Sequence, residues 1–310
     1  MNILLTGGTG FIGSYVLMAL IQEGHSVTVL ARNKSKVPSF CSLPNVEVLQ
    51  IPMSDYEGIS RAVVNKDACI HVALNYNDSS AYDMLMHDTA SSIFLASECA
   101  RAGVSHFIYT SSTAALDNIY SLKNPQQIGT TPYQANTQSK QDPQSYYGAT
   151  KAATENFLMA IGSQTSMRIT VIRPGYTFGN PVAPDSFTQP DRRFHSIVES
   201  AKKGNDIEII VNDGTQFLWA GDLAKIYIAA LNSKQTKQVY FGLSNEWTSW
   251  EYIAQESIRI CNSKSNIIRN DLGWSNVPIL FDVSDIEKDF GFRFSPIPHI
   301  QDHILYLAQL

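Results

Sequence analysis

Met1-Asn2-Ile3-Leu4-Leu5-Thr6-Gly7-Gly8-Thr9-Gly10-Phe11-Ile12-Gly13 is the stretch that decides the fold. An apolar run of strand length leads into a glycine-rich turn. Ile12, Val16 and Leu20 then recur at helical spacing over Phe11–Glu23, until Gly24 stops them. Gly7, Gly10 and Gly13 stand three apart, and Gly8, Gly10 and Gly13 also satisfy the G-x-G-x-x-G spacing. Glycine serves such a turn in three ways. It allows a tight exit from the strand, close approach of backbone amides to a diphosphate, and close packing of helix on strand. The phosphate then lies at the helix N-terminus, where unpaired N–H groups and the helix dipole favour negative charge. Glycine-rich turns also occur simply to turn a chain. Here the strand before it and the helix after it point to a dinucleotide-binding turn.

Working outward, short apolar runs at Ile3–Thr6, Val27–Leu30, Val46–Gln50, Ala68–Ala73, Phe107–Thr110 and Ile169–Ile172 read as strands covered on both faces. Helices fit Tyr82–Arg101, stopped by Gly103, and Tyr146–Ile161, stopped by Gly162. Alternating β and α with short links predicts an α/β fold, a Rossmann-type doubly wound parallel sheet. The alternation ends in a loop rich in proline and glycine over 175–190. Helices at Phe194–Lys203 and Asp222–Leu231 follow, and Val239–Phe241 is one more strand for the main sheet. The expected layout is therefore a cofactor-binding domain over 1–175, to which 222–243 returns. A smaller substrate-binding lobe takes 176–221 and 244–310.

Bulk properties exclude several alternatives. The chain has 310 residues, 44% apolar and 16% charged, which suits a globular protein with a sizeable core. A net charge of −5 without a basic cluster argues against a nucleic-acid partner. Cys41, Cys69, Cys99 and Cys261 are scattered without C-x-x-C spacing, which suits buried thiols in a reducing cytosol. No apolar run approaches the roughly 20 residues of a membrane span, and the apolar segment after the glycine turn lacks a basic leader. A cytoplasmic enzyme with no membrane partner is expected. His299 and His303 are four apart but lack a third ligand, so no metal is expected. Asn77-Asp78-Ser79 matches a glycosylation acceptor that has no meaning without a secretory context.

Two further segments carry chemistry. In Tyr147-Gly148-Ala149-Thr150-Lys151 the tyrosine and lysine share one helix face. An ammonium near a phenol favours the phenolate, bringing a group of pKa about 10 closer to working pH. Reduction of a carbonyl needs such a proton donor while hydride arrives from a nicotinamide. Alone, this spacing occurs on any helix surface. The other segment is Phe107-Ile108-Tyr109-Thr110-Ser111-Ser112-Thr113, a strand ending in hydroxyls at the carboxyl edge of the sheet, where ligands bind. Hydroxyls there orient a substrate oxygen, or merely cap the next turn.

Taken together, these segments resemble the extended short-chain dehydrogenase/reductase superfamily, in its NAD-dependent epimerase/dehydratase branch. The resemblance extends to His71-Val72-Ala73, Arg173-Pro174-Gly175, Asp222-Leu223-Ala224 and Phe281-Asp282-Val283-Ser284. It implies Tyr147 as acid/base, Lys151 as the group that tunes it and holds the nicotinamide ribose, and Ser112 as the hydroxyl that orients the reacting oxygen. Gly7, Gly10, Phe11, Ile12, Gly13, Arg32, Ala73 and Pro174, with Tyr147 and Lys151, are the implied cofactor-binding residues. A homodimer packed through helices around Tyr82–Arg101 and Tyr146–Ile161 is likewise implied.

Departures from the family pattern refine this. An NAD-binding chain ends its second strand with a carboxylate for the ribose 2′-hydroxyl. Here that end reads Val29-Leu30-Ala31-Arg32, with Ala31 at the acidic position, and a guanidinium suits a 2′-phosphate. NADP(H) is therefore expected ahead of NAD(H). Tyr176 replaces the asparagine common after Arg-Pro in nucleotide-sugar enzymes, and Thr215 replaces an upstream arginine. Phe217 and Trp219 suggest an apolar substrate wall. Asp88 occupies a helix position where family members carry asparagine. The expected activity is hydride transfer between NADP(H) and the carbonyl or alcohol of a small-molecule substrate. The alternatives are a nucleotide-sugar epimerase or dehydratase that recycles NAD, and a non-enzymatic NADP-sensing regulator.

Overall fold

The computed structural model describes residues 1–74, 80–116, 134–235 and 238–310. The Asn77–Ser79 acceptor lies outside the described residues. Seven parallel strands form the central sheet. They are β1 (Asn2–Thr6), β2 (Ser26–Ala31), β3 (Val46–Gln50), β4 (Ala68–His71), β5 (His106–Thr110), β6 (Arg168–Pro174) and β7 (Gln238–Gly242). Their spatial order is β7-β6-β5-β4-β1-β2-β3. The chain reverses direction across the sheet between β1 and β4, which opens a crevice at their carboxyl ends. The predicted doubly wound sheet is the observed one. β7 pairs with β6 from Gln238 opposite Thr170 to Gly242 opposite Pro174, so the chain does return to the sheet after leaving it.

Continuous apolar strands arise because helices cover both faces. Ile3, Leu5, Val27 and Val29 pack on one side with α1 (Phe11–Gln22) and, from far along the chain, Ala220–Asn232. Leu4, Leu30, Cys69 and Phe107 pack on the other side with α2 (Ser91–Arg101) and α3 (Tyr146–Gln164). A third apolar cluster lies outside the sheet. It joins Phe178, α4 (Arg193–Lys203), α5 (Ala220–Asn232) through its preceding Phe217, α6 (Trp250–Ile260) and α7 (Ile297–Gln309).

Several elements differ in detail from the sequence reading. The strand read as Ala68–Ala73 ends at His71, because Val72 and Ala73 turn away to meet the glycine turn. The helix read as Tyr82–Arg101 is one continuous helical run from Ala81 to Arg101, and it widens into a π-turn at Leu85–Ala90 before α2 begins. The helix expected to stop at Gly162 runs on to Gln164, since a glycine inside a helix costs only about 1 kcal/mol when packing holds it.

Candidate active site

At the glycine turn, Gly7 has φ +69°, a left-handed conformation that disfavours any residue with a Cβ. A Cβ there would also come 2.6 Å from the Ala73 amide nitrogen. A Cβ on Gly13 would overlap the Gly7 carbonyl. The turn is held by the Gly10 amide donating to the Gly7 carbonyl at 2.9 Å. Gly10 then caps α1, whose first turn carries no acidic residue, leaving its amides and dipole open to an anion. The residues present therefore fit a dinucleotide diphosphate.

A cavity of about 760 Å³ opens from this turn. Gly7, Gly10, Phe11, Ile12, Gly13, Arg32, Ala73, Ser112, Tyr147, Lys151 and Pro174 all line it. The tertiary structure thus gathers every site residue expected from sequence around one space. Ala31 and Arg32 lie at the end of β2, on the wall beside the glycine turn.

At the other end, Ser145 caps α3 by accepting from the Gly148 amide at 3.0 Å, which sets Tyr147 in the first turn and Lys151 one turn on. Lys151 is buried, 2% exposed. Its ammonium donates to the Thr110 carbonyl at 3.3 Å and lies 5.7 Å from the centre of the Tyr147 ring. Asp88 Oδ2 is 3.7 Å from Lys151 Nζ. Of the two serines ending β5, Ser111 donates to Glu155, while Ser112 accepts from the Ala114 amide at 3.1 Å. Glu155 also takes three hydrogen bonds from Arg173, at 3.0, 3.3 and 2.7 Å, and both side chains are buried. This ion pair went unread in the sequence. Its signal was Glu155 lying one helical turn beyond Lys151, facing the arginine of Arg173-Pro174.

Met86, Tyr176, Thr177, Phe187, Gln189 and Asp191 also line the cavity. The Pro- and Gly-rich loop that supplies the last three reads in sequence only as a boundary. Burial, and then the Asp191 carboxylate, push the Tyr176 phenol well up, so it is a neutral group at any working pH. Phe217 and Trp219 do not form the expected substrate wall. Phe217 is fully buried in the third apolar cluster, and Trp219 stacks on His299 at 4.2 Å between ring centres. Phe217 packs on Phe194 of α4 and Trp250 of α6, while the partly buried Trp219 also meets Tyr15 of α1, so packing between elements takes both rings. Thr215 likewise pairs with Thr248 away from the cavity. His299 faces Asp222 at 3.4 Å, whereas His303 meets Asn180 at 2.6 Å. The two histidines thus take different partners.

His71 also lines the cavity, linked to Thr6 on one side and to Ser92 at 2.8 Å on the other. Burial, and then the Lys151 ammonium, hold His71 down to about 3. Burial does the same for His106, to about 4, and for His303, to about 3. All three are neutral in the fold at neutral pH but bind a proton in the unfolded chain below about 6.5. The unfolded state therefore gains protons first as pH falls. Their stability contribution is complete above about pH 6.5 and is lost progressively as pH drops toward 4 and 3. The melting temperature should hold above that point and decline steadily from pH 6.5 to 4; a flat profile there would contradict this assignment.

The chain matches the family model described as NAD dependent epimerase/dehydratase family over residues 3–241. It is 29% identical over 185 residues to the sterol-4-alpha-carboxylate 3-dehydrogenase, decarboxylating, of Dictyostelium discoideum, covering 58% of this chain and 54% of that one. It is 32% identical over 172 residues to the UDP-glucose 4-epimerase of Neisseria meningitidis serogroup C, covering 52% of this chain and 48% of that one. The matches thus span about half the length of these curated relatives. The crystal structure of a UDP-glucose 4-epimerase from Thermotoga maritima superposes with a TM-score of 0.81 at 19% identity, covering 100% of this chain and 99% of the other. That likeness establishes the shared fold.

Proposed function

The chain belongs to the NAD dependent epimerase/dehydratase family, and from that premise we propose that it moves hydride between NADP(H) and the carbonyl or alcohol of a small-molecule substrate. The observation that carries this reading is the convergence of the glycine turn, Arg32, Ser112, Tyr147 and Lys151 on one cavity. The nicotinamide, when bound, supplies or accepts the hydride. Gly7, Gly10, Phe11, Ile12 and Gly13 hold the diphosphate, with Ala73 and Pro174 closing the cleft around the dinucleotide. Tyr147 moves a proton to or from the reacting oxygen, Ser112 orients that oxygen, and Lys151 supports the phenolate. In the direction of reduction, carbonyl carbon gains hydride and its oxygen gains the Tyr147 proton, giving an alcohol.

Net redox chemistry is favoured over recycling on a nucleotide sugar by the substrate end of the cavity. Among the described residues there, neither lysine nor arginine faces a second diphosphate, and Asp191 contributes a carboxylate instead. Arg193, close to this end, is committed to Asp213 at 2.6 Å and lies over the Trp250 ring. Residues 176–221 and 244–310 serve in this reading as the substrate lobe, and 1–175 with 222–243 as the cofactor domain. Exposed Tyr82, Tyr146 and Phe157 favour pairing of two copies through the helices that flank Tyr147.

Freshly purified protein, denatured and analysed by mass spectrometry for retained dinucleotide and then titrated with NADPH and NADH, tests the proposal. Tighter binding of NADPH, lost in Arg32→Ala, is expected. NAD(H) retained through purification would favour the internal recycling of an epimerase or dehydratase and overturn the role given to Arg32.

A further inference from the structure

We propose that Asp88 is a positioning residue whose buried carboxylate fixes the Lys151 ammonium and sets the pH at which the Tyr147–Lys151 pair gives up its first proton. The inference rests on reading Tyr147 and Lys151 as the acid/base pair, and takes that reading one residue further back. It starts from the wide π-turn at Leu85–Ala90, which sets Asp88 against α3. The Asp88 backbone carbonyl is anchored from above, accepting hydrogen bonds from the hydroxyls of Ser92 at 2.6 Å and Ser91 at 3.2 Å. Its side chain, on a residue only 2% exposed, is left with an Oδ2 that makes no hydrogen bond and lies 3.7 Å from Lys151 Nζ. A buried carboxylate oxygen without a hydrogen-bond donor is costly. Its compensation here is the charge of Lys151.

Among the described residues, the groups facing this pair from β4, β5, α5 and α3 leave it uncompensated. From β4 comes His71, neutral at working pH because burial holds it down. From β5 comes the Tyr109 ring, 5.1 Å from the ammonium, its phenol pushed up to about 12 by burial and also raised by Asp88. From α5 comes Tyr227, paired with Thr110 at 2.7 Å and likewise pushed up by burial. On α3 itself, Glu155 is already neutralised by Arg173. His87, beside Asp88 on the turn, also lines the cavity.

A negative charge raises the proton affinity of every group near it. Tyr147 and Lys151 interact, so they titrate as a pair with macroscopic steps that belong to both. Removing the Asp88 charge therefore lowers the first step whichever group releases that proton. An asparagine preserves the shape and removes only the charge. In this chain Asp88 thus keeps Lys151 protonated and aimed, and shifts the working range of the pair toward alkali.

The test is a pH titration of full-length protein labelled with ¹³Cζ-tyrosine and ¹³Cε-lysine, without substrate. The signals missing in Tyr147→Phe and in Lys151→Met identify the pair. In Asp88→Asn the first titration step should move down by about one unit or more, and Asp88→Glu should move it back toward the native value. An unchanged or raised first step in Asp88→Asn overturns the proposal. Should that variant not fold, Asp88→Ser removes the same charge with a smaller side chain and is read identically. The titration needs no turnover, so it fails or succeeds independently of the activity reading, which stands or falls on the turnover of Tyr147→Phe.

Discussion

Tyr147→Phe should lose turnover by about 10²–10⁴-fold, the span expected of one positioned acid/base group, while dinucleotide affinity stays at the native level. The reason is local. The ring of Tyr147 occupies the first turn of α3, and phenylalanine keeps that ring and its packing. On the proposed reading, what is lost is the single proton that the reacting oxygen needs as hydride is transferred. Lys151 does not depend on the lost hydroxyl for its position, since the Thr110 carbonyl and Asp88 hold it from the other side. The glycine turn and Arg32 belong to β1–α1 and the end of β2, elements separate from α3, and keep their backbone. Single-turnover kinetics with a carbonyl substrate, alongside titration with NADPH, separate the two effects. Retained turnover would remove Tyr147 from the chemistry and with it the proposed function.

Glu155→Ala should destabilise the fold by about 3–5 kcal/mol, because it strands the buried Arg173 guanidinium. Among the described residues, Arg173 would keep its hydrogen bond to the Thr137 carbonyl, at 3.2 Å, and its place over the Phe241 ring. Ser111 and Gln141, which both donate to Glu155, would lose their acceptor as well. A buried ion pair replaced whole is far less costly than one that is halved. The double variant Glu155→Leu with Arg173→Met should therefore melt well above the single variant. Thermal unfolding of the native chain and both variants measures this. A single variant as stable as the native chain would show that the pair contributes nothing to the fold. The same lesion should lower turnover, since Ser111 adjoins Ser112 at the end of β5 and shares its short turn.

Much of this was legible in the chain itself. The glycines at 7, 10 and 13 marked the diphosphate turn because only a residue without a Cβ survives the close approaches found there. Tyr147 and Lys151 were legible as a pair because helical periodicity places i and i+4 on one face. Other features were beyond reach for equally physical reasons. Phe217 and Trp219 are apolar in sequence whether they line a pocket or fill a core, and only the packing of α4, α6 and α7 decided for the core. Tyr82–Arg101 was legible as a helix, but the π-turn inside it at Leu85–Ala90 has no period of its own to read.

By itself, then, the sequence determined the local geometry: strand, turn and helix, the spacing of Tyr147 and Lys151, and the absence of an acidic residue at the end of β2. These depend on near neighbours along the chain, where backbone sterics and periodicity act directly. The tertiary structure decided which distant groups share an environment. It set Asp88 against Lys151, Glu155 against Arg173, and Gln189 and Asp191 on the lining of the cavity. Those pairings arise from the packing of elements far apart in sequence. Burial then makes each charge depend on its partner, a dependence that local pattern does not encode.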